Sequence, residues 1–291
     1  MAFLHERAFT LHLGRPGYPE HLAETPDPPQ TLYGIGDPDY LVRGLAVIGS
    51  RRATPYGRAA ARLFAGWAAG VGIVIVSGGA IGCDQAAHSA ALDAGGNTVV
   101  VLGCGADVDY PRGAWELLAR VRRGECGCVV SEQPWGTPPL RWAFSRRNRI
   151  IAALSQAVLV VEASLPSGTF STADYADAAN RDVLVVPGSI FSPESRGCNR
   201  LLRQGAIPVT DVSDLAGVLG VNEGPRQLTL VSTDGDPDTD RIRAALMANP
   251  MRPDDVAREL GLSIVQVARR IGALETRRIV ARYPDGRYGP C

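Results

Sequence analysis

Lysine is absent from the 291 residues: all 30 positive side chains are arginine, set against 30 acidic ones for a formal net charge of zero. Without a net positive field the chain has no long-range pull on nucleic acid or an anionic membrane, so a polyanion must be caught by a local patch. A GC-rich coding bias accounts for the composition, but the physical consequence stands. Every cation is a planar guanidinium suited to gripping phosphate with two parallel hydrogen bonds. Lack of lysine also excludes the phosphate loop G-x-x-x-x-G-K-[ST], and no G-x-G-x-x-G run opens the first helix. ATP hydrolysis and NAD-dependent hydride transfer therefore have little support, and no cofactor is expected. No run of about 18 apolar residues exists, and no basic segment precedes an apolar stretch at the N-terminus. Neither a membrane span nor a signal peptide is expected, and the chain reads as cytoplasmic. Six cysteines (Cys83, Cys104, Cys126, Cys128, Cys198 and Cys291) lack C-x-x-C pairing. That spacing predicts reduced thiols and no metal site.

What is present is apolar material, 45% of the chain, enough to bury a full core. Residues 1–44 are rich in Pro, Gly and Asp, with Thr25-Pro26-Asp27-Pro28-Pro29 as a stiff connector, and read as a lead-in. From Leu45 onward, short apolar runs at 45–48, 73–76, 98–102, 128–131, 157–161, 183–186 and 207–210 alternate with helical stretches. Strands so uniformly apolar are buried on both faces, which predicts an α/β fold over 45–220: a doubly wound, mostly parallel, Rossmann-like sheet. Helices are expected at 54–69, 84–94, 113–123, 146–155, 172–180 and 199–204, the first capped by Thr54 with Pro55 at its first position. Residues 221–237 read as a linker. Helical spacing at 240–248, 253–260 and 263–275, then a hairpin at 279–288, predicts a winged-helix-like domain over 238–291. Arg269 and Arg270 stand where its DNA-reading helix would sit.

Ligands of such sheets bind beyond the carboxyl ends of the strands. The loops there carry Gly49-Ser50-Arg51-Arg52, Ser77-Gly78-Gly79, Gly103-Cys104-Gly105, Ser167-Gly168-Thr169 and Pro187-Gly188-Ser189. Glycine admits close backbone approach to an anion, hydroxyls add donors and arginine adds charge. Any one such loop is also what a tight βα turn requires; five together point to a phosphate-binding crevice. Trp135, Trp142 and Phe144, in an expected loop over 135–145, precede Arg146-Arg147-Asn148-Arg149. Aromatics beside arginines suit stacking of bases and gripping of phosphates, although a solvated basic helix face has the same composition. Ser195-Arg196-Gly197-Cys198-Asn199-Arg200 adds a further basic segment. Asp84 and His88 share a helix face, read as a cap and a packed imidazole; Glu132 and Glu162 have no nucleophile beside them.

The ordered series Val47-Ile48-Gly49-Ser50-Arg51, Ser77 through His88, Arg147-Asn148-Arg149-Ile150-Ile151-Ala152, Ser167-Gly168-Thr169 and Val186-Pro187-Gly188-Ser189 resembles the bacterial DNA-processing protein A (DprA/Smf) family over about residues 16–220. The tail resembles the winged helix many members carry. The resemblance implies a cytosolic, non-enzymatic homodimer that binds single-stranded DNA, protects it and helps load the RecA recombinase in natural transformation. Carried onto this chain, the phosphate pocket would involve Ser50, Arg51, Ser77, Gly78, Arg147, Asn148, Ser167, Gly168 and Gly188. Ile81 departs from the family, many of whose members have a basic residue there, and Cys83 stands where they have an aliphatic one. Two other readings remain open: a nucleotide phosphoribohydrolase of the related Rossmann group, whose P-G-G-x-G-T pattern is broken at Pro187-Gly188-Ser189-Ile190-Phe191, and a regulator that meets duplex DNA through Arg269, Arg270, Arg277 and Arg278.

Overall fold

The computed structural model describes residues 7–221 and 236–290, which fall into two compact units. Nine strands form the sheet of the larger unit: β1 (Ala8–His12), β2 (Thr31–Gly36), β3 (Gly44–Gly49), β4 (Ile75–Ser77), β5 (Thr98–Val101), β6 (Gly127–Ser131), β7 (Ser155–Glu162), β8 (Asp182–Val185) and β9 (Ile207–Pro208). Their spatial order is β1-β2-β6-β5-β4-β3-β7-β8-β9. The seven strands from β3 to β9 are parallel, as the apolar runs predicted.

Eight helices cover this sheet: α1 (Glu20–Ala23), α2 (Pro55–Gly70), α3 (Cys83–Asp93), α4 (Trp115–Arg122), α5 (Arg141–Ala153), α6 (Thr169–Ala178), α7 (Arg196–Arg203) and α8 (Val212–Leu219). Side chains alternate across the pleat. Ala46 and Ile48 of β3 join a core with Ile150 and Ile151 of α5, Ala173 of α6 and Leu201 of α7. Leu45 and Val47 join the opposite core with Phe64 of α2, Ala87 of α3 and Leu215 of α8. Burial on both faces explains why the strands carry no polar alternation.

Residues 8–36 do more than lead in. β1 and β2 pair antiparallel, and β2 adds antiparallel to β6, so the segment extends the sheet. The glycine content that made it read as a lead-in has a packing reason: a Cβ at Gly34 would lie 2.1 Å from the Phe9 ring. Helix α5 likewise begins five residues before its expected start at 146, so Trp142 and Phe144 are helical rather than in a loop. Pro138 and Pro139 precede it, Leu140 is its extended N-cap, and buried Ala143 carries the helical register forward. Helix α8, outside the expected set, opens on a capping box between Asp211 and Asp214.

The smaller unit contains α9 (Pro237–Ala248), α10 (Pro253–Leu260), α11 (Ile264–Thr276) and a hairpin of β10 (Val280–Arg282) and β11 (Tyr288–Pro290). Ile242, Leu246, Val256, Val267, Ile271 and Leu274 form its core. A capping box between Ser263 and Gln266 starts α11 where the sequence placed it. Arg269 is exposed, whereas Arg270 is paired with Asp236 at 2.7 Å and Asp238 at 3.5 Å. The expected linker lies mostly outside the described residues. No helix among the described residues is long and apolar enough to cross a membrane.

Candidate nucleic-acid interface

The chain runs from β3 outward through β4 and β5 to β6, then returns to the other side of β3 for β7, β8 and β9. The direction of winding therefore reverses between β3 and β7, where doubly wound sheets open a crevice. One of about 510 Å³ lies there, lined by Gly49 at the end of β3 and Ser50, Arg51 and Arg52 after it, Arg141, Phe144, Arg147 and Asn148 of α5, and Ser167, Gly168 and Thr169 before and at the start of α6.

Local chemistry shapes each wall. A Cβ at Gly49 would lie 2.7 Å from the Cys83 Sγ, so only glycine lets β3 end this close to α3. The Ser50 amide donates to the Glu162 carbonyl at 2.8 Å, and the Ser50 hydroxyl accepts from the Arg52 amide at 3.1 Å. That turn leaves Arg51 and Arg52 exposed, with the Arg51 guanidinium 5.7 Å from the centre of the Phe144 ring. Ser167 accepts from the Thr169 amide at 3.2 Å, and Asn148 donates to the Ser171 hydroxyl at 2.8 Å. The α6 N-terminus thus opens toward the crevice.

The floor is charged and largely occupied. Arg147, only 4% exposed, donates from Nη1 to the Gly78 carbonyl at 2.8 Å and to the Val101 carbonyl, and from Nε to Asn148 Oδ1 at 3.2 Å. Burial pushes its guanidinium down to about 10, opposed by Asp84, so it stays charged at neutral pH. Asp84 accepts from the Gly78 amide at 3.2 Å and the Ala80 amide at 3.3 Å. The expectation that it caps its helix is corrected: Gly82 is the N-cap residue, and Asp84 binds the loop ahead of the helix. His88 is fully buried against the Thr98 hydroxyl at 2.6 Å, and burial holds its imidazole near 3.

Among the sequence-derived candidates, Gly49, Ser50, Arg51, Arg52, Arg147, Asn148, Ser167, Gly168 and Thr169 come together. Ser77 is buried and donates to the Val47 carbonyl, while Gly78 and Gly79 lie beneath the rim, their loop tied down by Asp84 and Gln85. Arg146 and Arg149 line a separate recess with Asp27 and Glu132, because successive helical residues turn by about 100°. Gly188 is bound at both its amide and carbonyl by Asn199, and neither it nor Ser189 lines the crevice. Ser164 lines it without having been singled out, and so does Arg141, the cation that the sequence shows beside the aromatics but that stood outside the candidate set. Arg141 was legible: it stands seven residues, two helical turns, before Asn148.

Comparison with known proteins agrees with this architecture. The family model described as DNA recombination-mediator protein A matches residues 9–220, and the one described as DprA winged helix domain matches residues 227–286. Protein Smf of Synechocystis is 33% identical over 311 residues, covering 94% of this chain and 78% of its own. DNA processing protein DprA of Streptococcus pneumoniae is 40% identical over 200 residues, 68% of this chain and 70% of its own. Its X-ray structure has a TM-score of 0.68 at 37% identity, covering 77% of each chain. DNA processing protein A of Helicobacter pylori, described with a single-stranded DNA binding mode, has a TM-score of 0.66 at 32% identity, covering 74% of this chain and 96% of that one. With its switch-point crevice, its winged helix and a family match across most of its length, the chain belongs to the DNA recombination-mediator protein A (DprA/Smf) family.

Proposed function

We propose that the crevice binds the sugar-phosphate backbone of single-stranded DNA, and that the chain acts without enzymatic activity as a cytoplasmic homodimer that protects incoming strands and helps load RecA during natural transformation. The observation that carries the DNA reading is the rim: Arg51, Arg52 and Arg141 are exposed around one crevice, and none is ion-paired among the described residues. Three free guanidiniums beside a helix N-terminus suit phosphates. The H. pylori relative, described by its single-stranded DNA binding mode, supports the same reading. The experiment is a fluorescence titration of short single strands and matched duplexes across a salt series, followed by RecA filament nucleation on the strand with and without the protein. Strand binding that weakens with salt, together with faster nucleation, is the expected result. Equal affinity for an uncharged backbone analogue would refute the phosphate reading.

A further inference from the structure

Gly78 is gripped from both ends by opposite charges: the Asp84 carboxylate accepts from its amide and the Arg147 guanidinium donates to its carbonyl. Each charge also reaches a second strand end. Asp84 collects the Ala80 amide as well, and the burial that pushes its carboxyl up is opposed first by Arg147 and then by the backbone around it, Gly49 at the end of β3 included. Arg147 collects the Val101 carbonyl at the end of β5. Both are nearly inaccessible, at 6% and 4% exposure. No side chain fits between them, since a Cβ at Gly78 would lie 2.4 Å from the Arg147 Nη2. A phosphate seated on this floor would find the Arg147 Nε and Nη1 already committed to Asn148 and to backbone, with Nη2 alone left to it, and would face the buried Asp84, whereas the rim offers whole free forks.

We propose that Asp84 and Arg147 act as a buried positioning couple: they fix the loops after β3, β4 and β5 and close the crevice floor to phosphate, so that Arg51, Arg52 and Arg141 alone make the ionic contacts. The sequence points the other way, since Arg147 sits in the most basic run of the chain. The inference rests on the reading of the crevice as a single-stranded DNA site. Its consequence is a division of labour visible in salt dependence: a phosphate contact releases a counterion, whereas a positioning charge does not.

The test measures single-strand affinity across a salt series for the full chain and for Asp84→Asn, Arg147→Gln and the double variant, with thermal melts to verify folding. Each single variant is expected to lose about tenfold in affinity with the slope of log K against log salt unchanged, and the double variant, which removes both charges together, to recover most of that loss. Where a single variant fails to melt cooperatively, Arg147→Lys replaces it; it keeps the charge but not the fork, and weaker binding at unchanged slope is expected. A shallower slope in Arg147→Gln, tighter binding by Asp84→Asn, no recovery in the double variant, or wild-type affinity in Arg147→Lys would each overturn the couple while leaving the DNA site standing. Absence of binding by the unaltered chain would overturn the site itself and the couple's role with it.

Discussion

Arg149 and Glu132 meet as a two-pronged pair, Nη2 to Oε2 at 2.6 Å and Nη1 to Oε1 at 3.1 Å, with both side chains almost out of solvent. Arg149 Nε also donates to the backbone and carboxylate of Asp27, 122 residues earlier. One guanidinium therefore joins α5, the end of β6 and the proline-rich segment before β2.

Breaking this pair leaves a buried charge uncompensated. Glu132→Gln or Arg149→Met is expected to destabilise the larger unit by about 3 kcal/mol, and the double variant by less than the sum. Asp27 is mostly exposed, so Asp27→Ala should cost under about 1 kcal/mol. Urea denaturation of the four variants measures this.

Place in the fold should separate arginines that composition treats alike. Arg51→Ala is expected to lower the salt slope of single-strand binding by about 0.7, one phosphate contact. Arg146→Ala should leave the slope unchanged, because Arg146 lies by Asp27 and Glu132 rather than in the crevice. Equal effects of the two substitutions would contradict the geometry.

Gly82 has a positive φ of 99°, and a Cβ there would lie 2.4 Å from the Ser50 carbonyl oxygen. Gly82→Ala must push the Ser50-Arg51 turn away, at an expected cost of about 1–3 kcal/mol. Strand affinity should fall even at temperatures where the variant is fully folded, as read by titration beside a melting curve.

His88 sets an acid limit. Its pKa is lowered from 6.5 to about 3 in the fold by burial, with Arg147 adding to the effect. Between those values the unfolded chain takes up a proton that the folded chain refuses. The contribution is fully present above pH 6.5 and is lost as pH falls toward 3. Urea midpoints should therefore drop from pH about 7 to about 4, and the part of the drop due to this residue should vanish in His88→Gln.

Much of the fold was legible because its signal is local. The runs at 45–48, 98–102 and 157–161 are apolar at every position but Thr98, a pattern that a strand covered on both faces requires. The start of α11 falls where helical spacing placed it, and the capping box that fixes it, Ser263 with Gln266, is contained within four residues. β1 and β2 escaped notice because β1 is largely solvent-facing and β2 carries two glycines, whose reason, the Phe9 ring over Gly34 and the close backbone at Gly36, lies in other strands.

Sequence by itself determined the parallel sheet, its helical crossovers and the set of loops at the strand ends, since periodicity and glycine placement are properties of neighbours along the chain. Only the tertiary structure decided which arginines are free. Arg147 and Arg149 look like the heart of a basic groove, yet Nη1 of the first is held by Gly78 and Val101, and the second is taken up by Glu132 and Asp27. Those partners stand 17 to 122 residues away, a distance over which composition has no memory and packing alone assigns the bond.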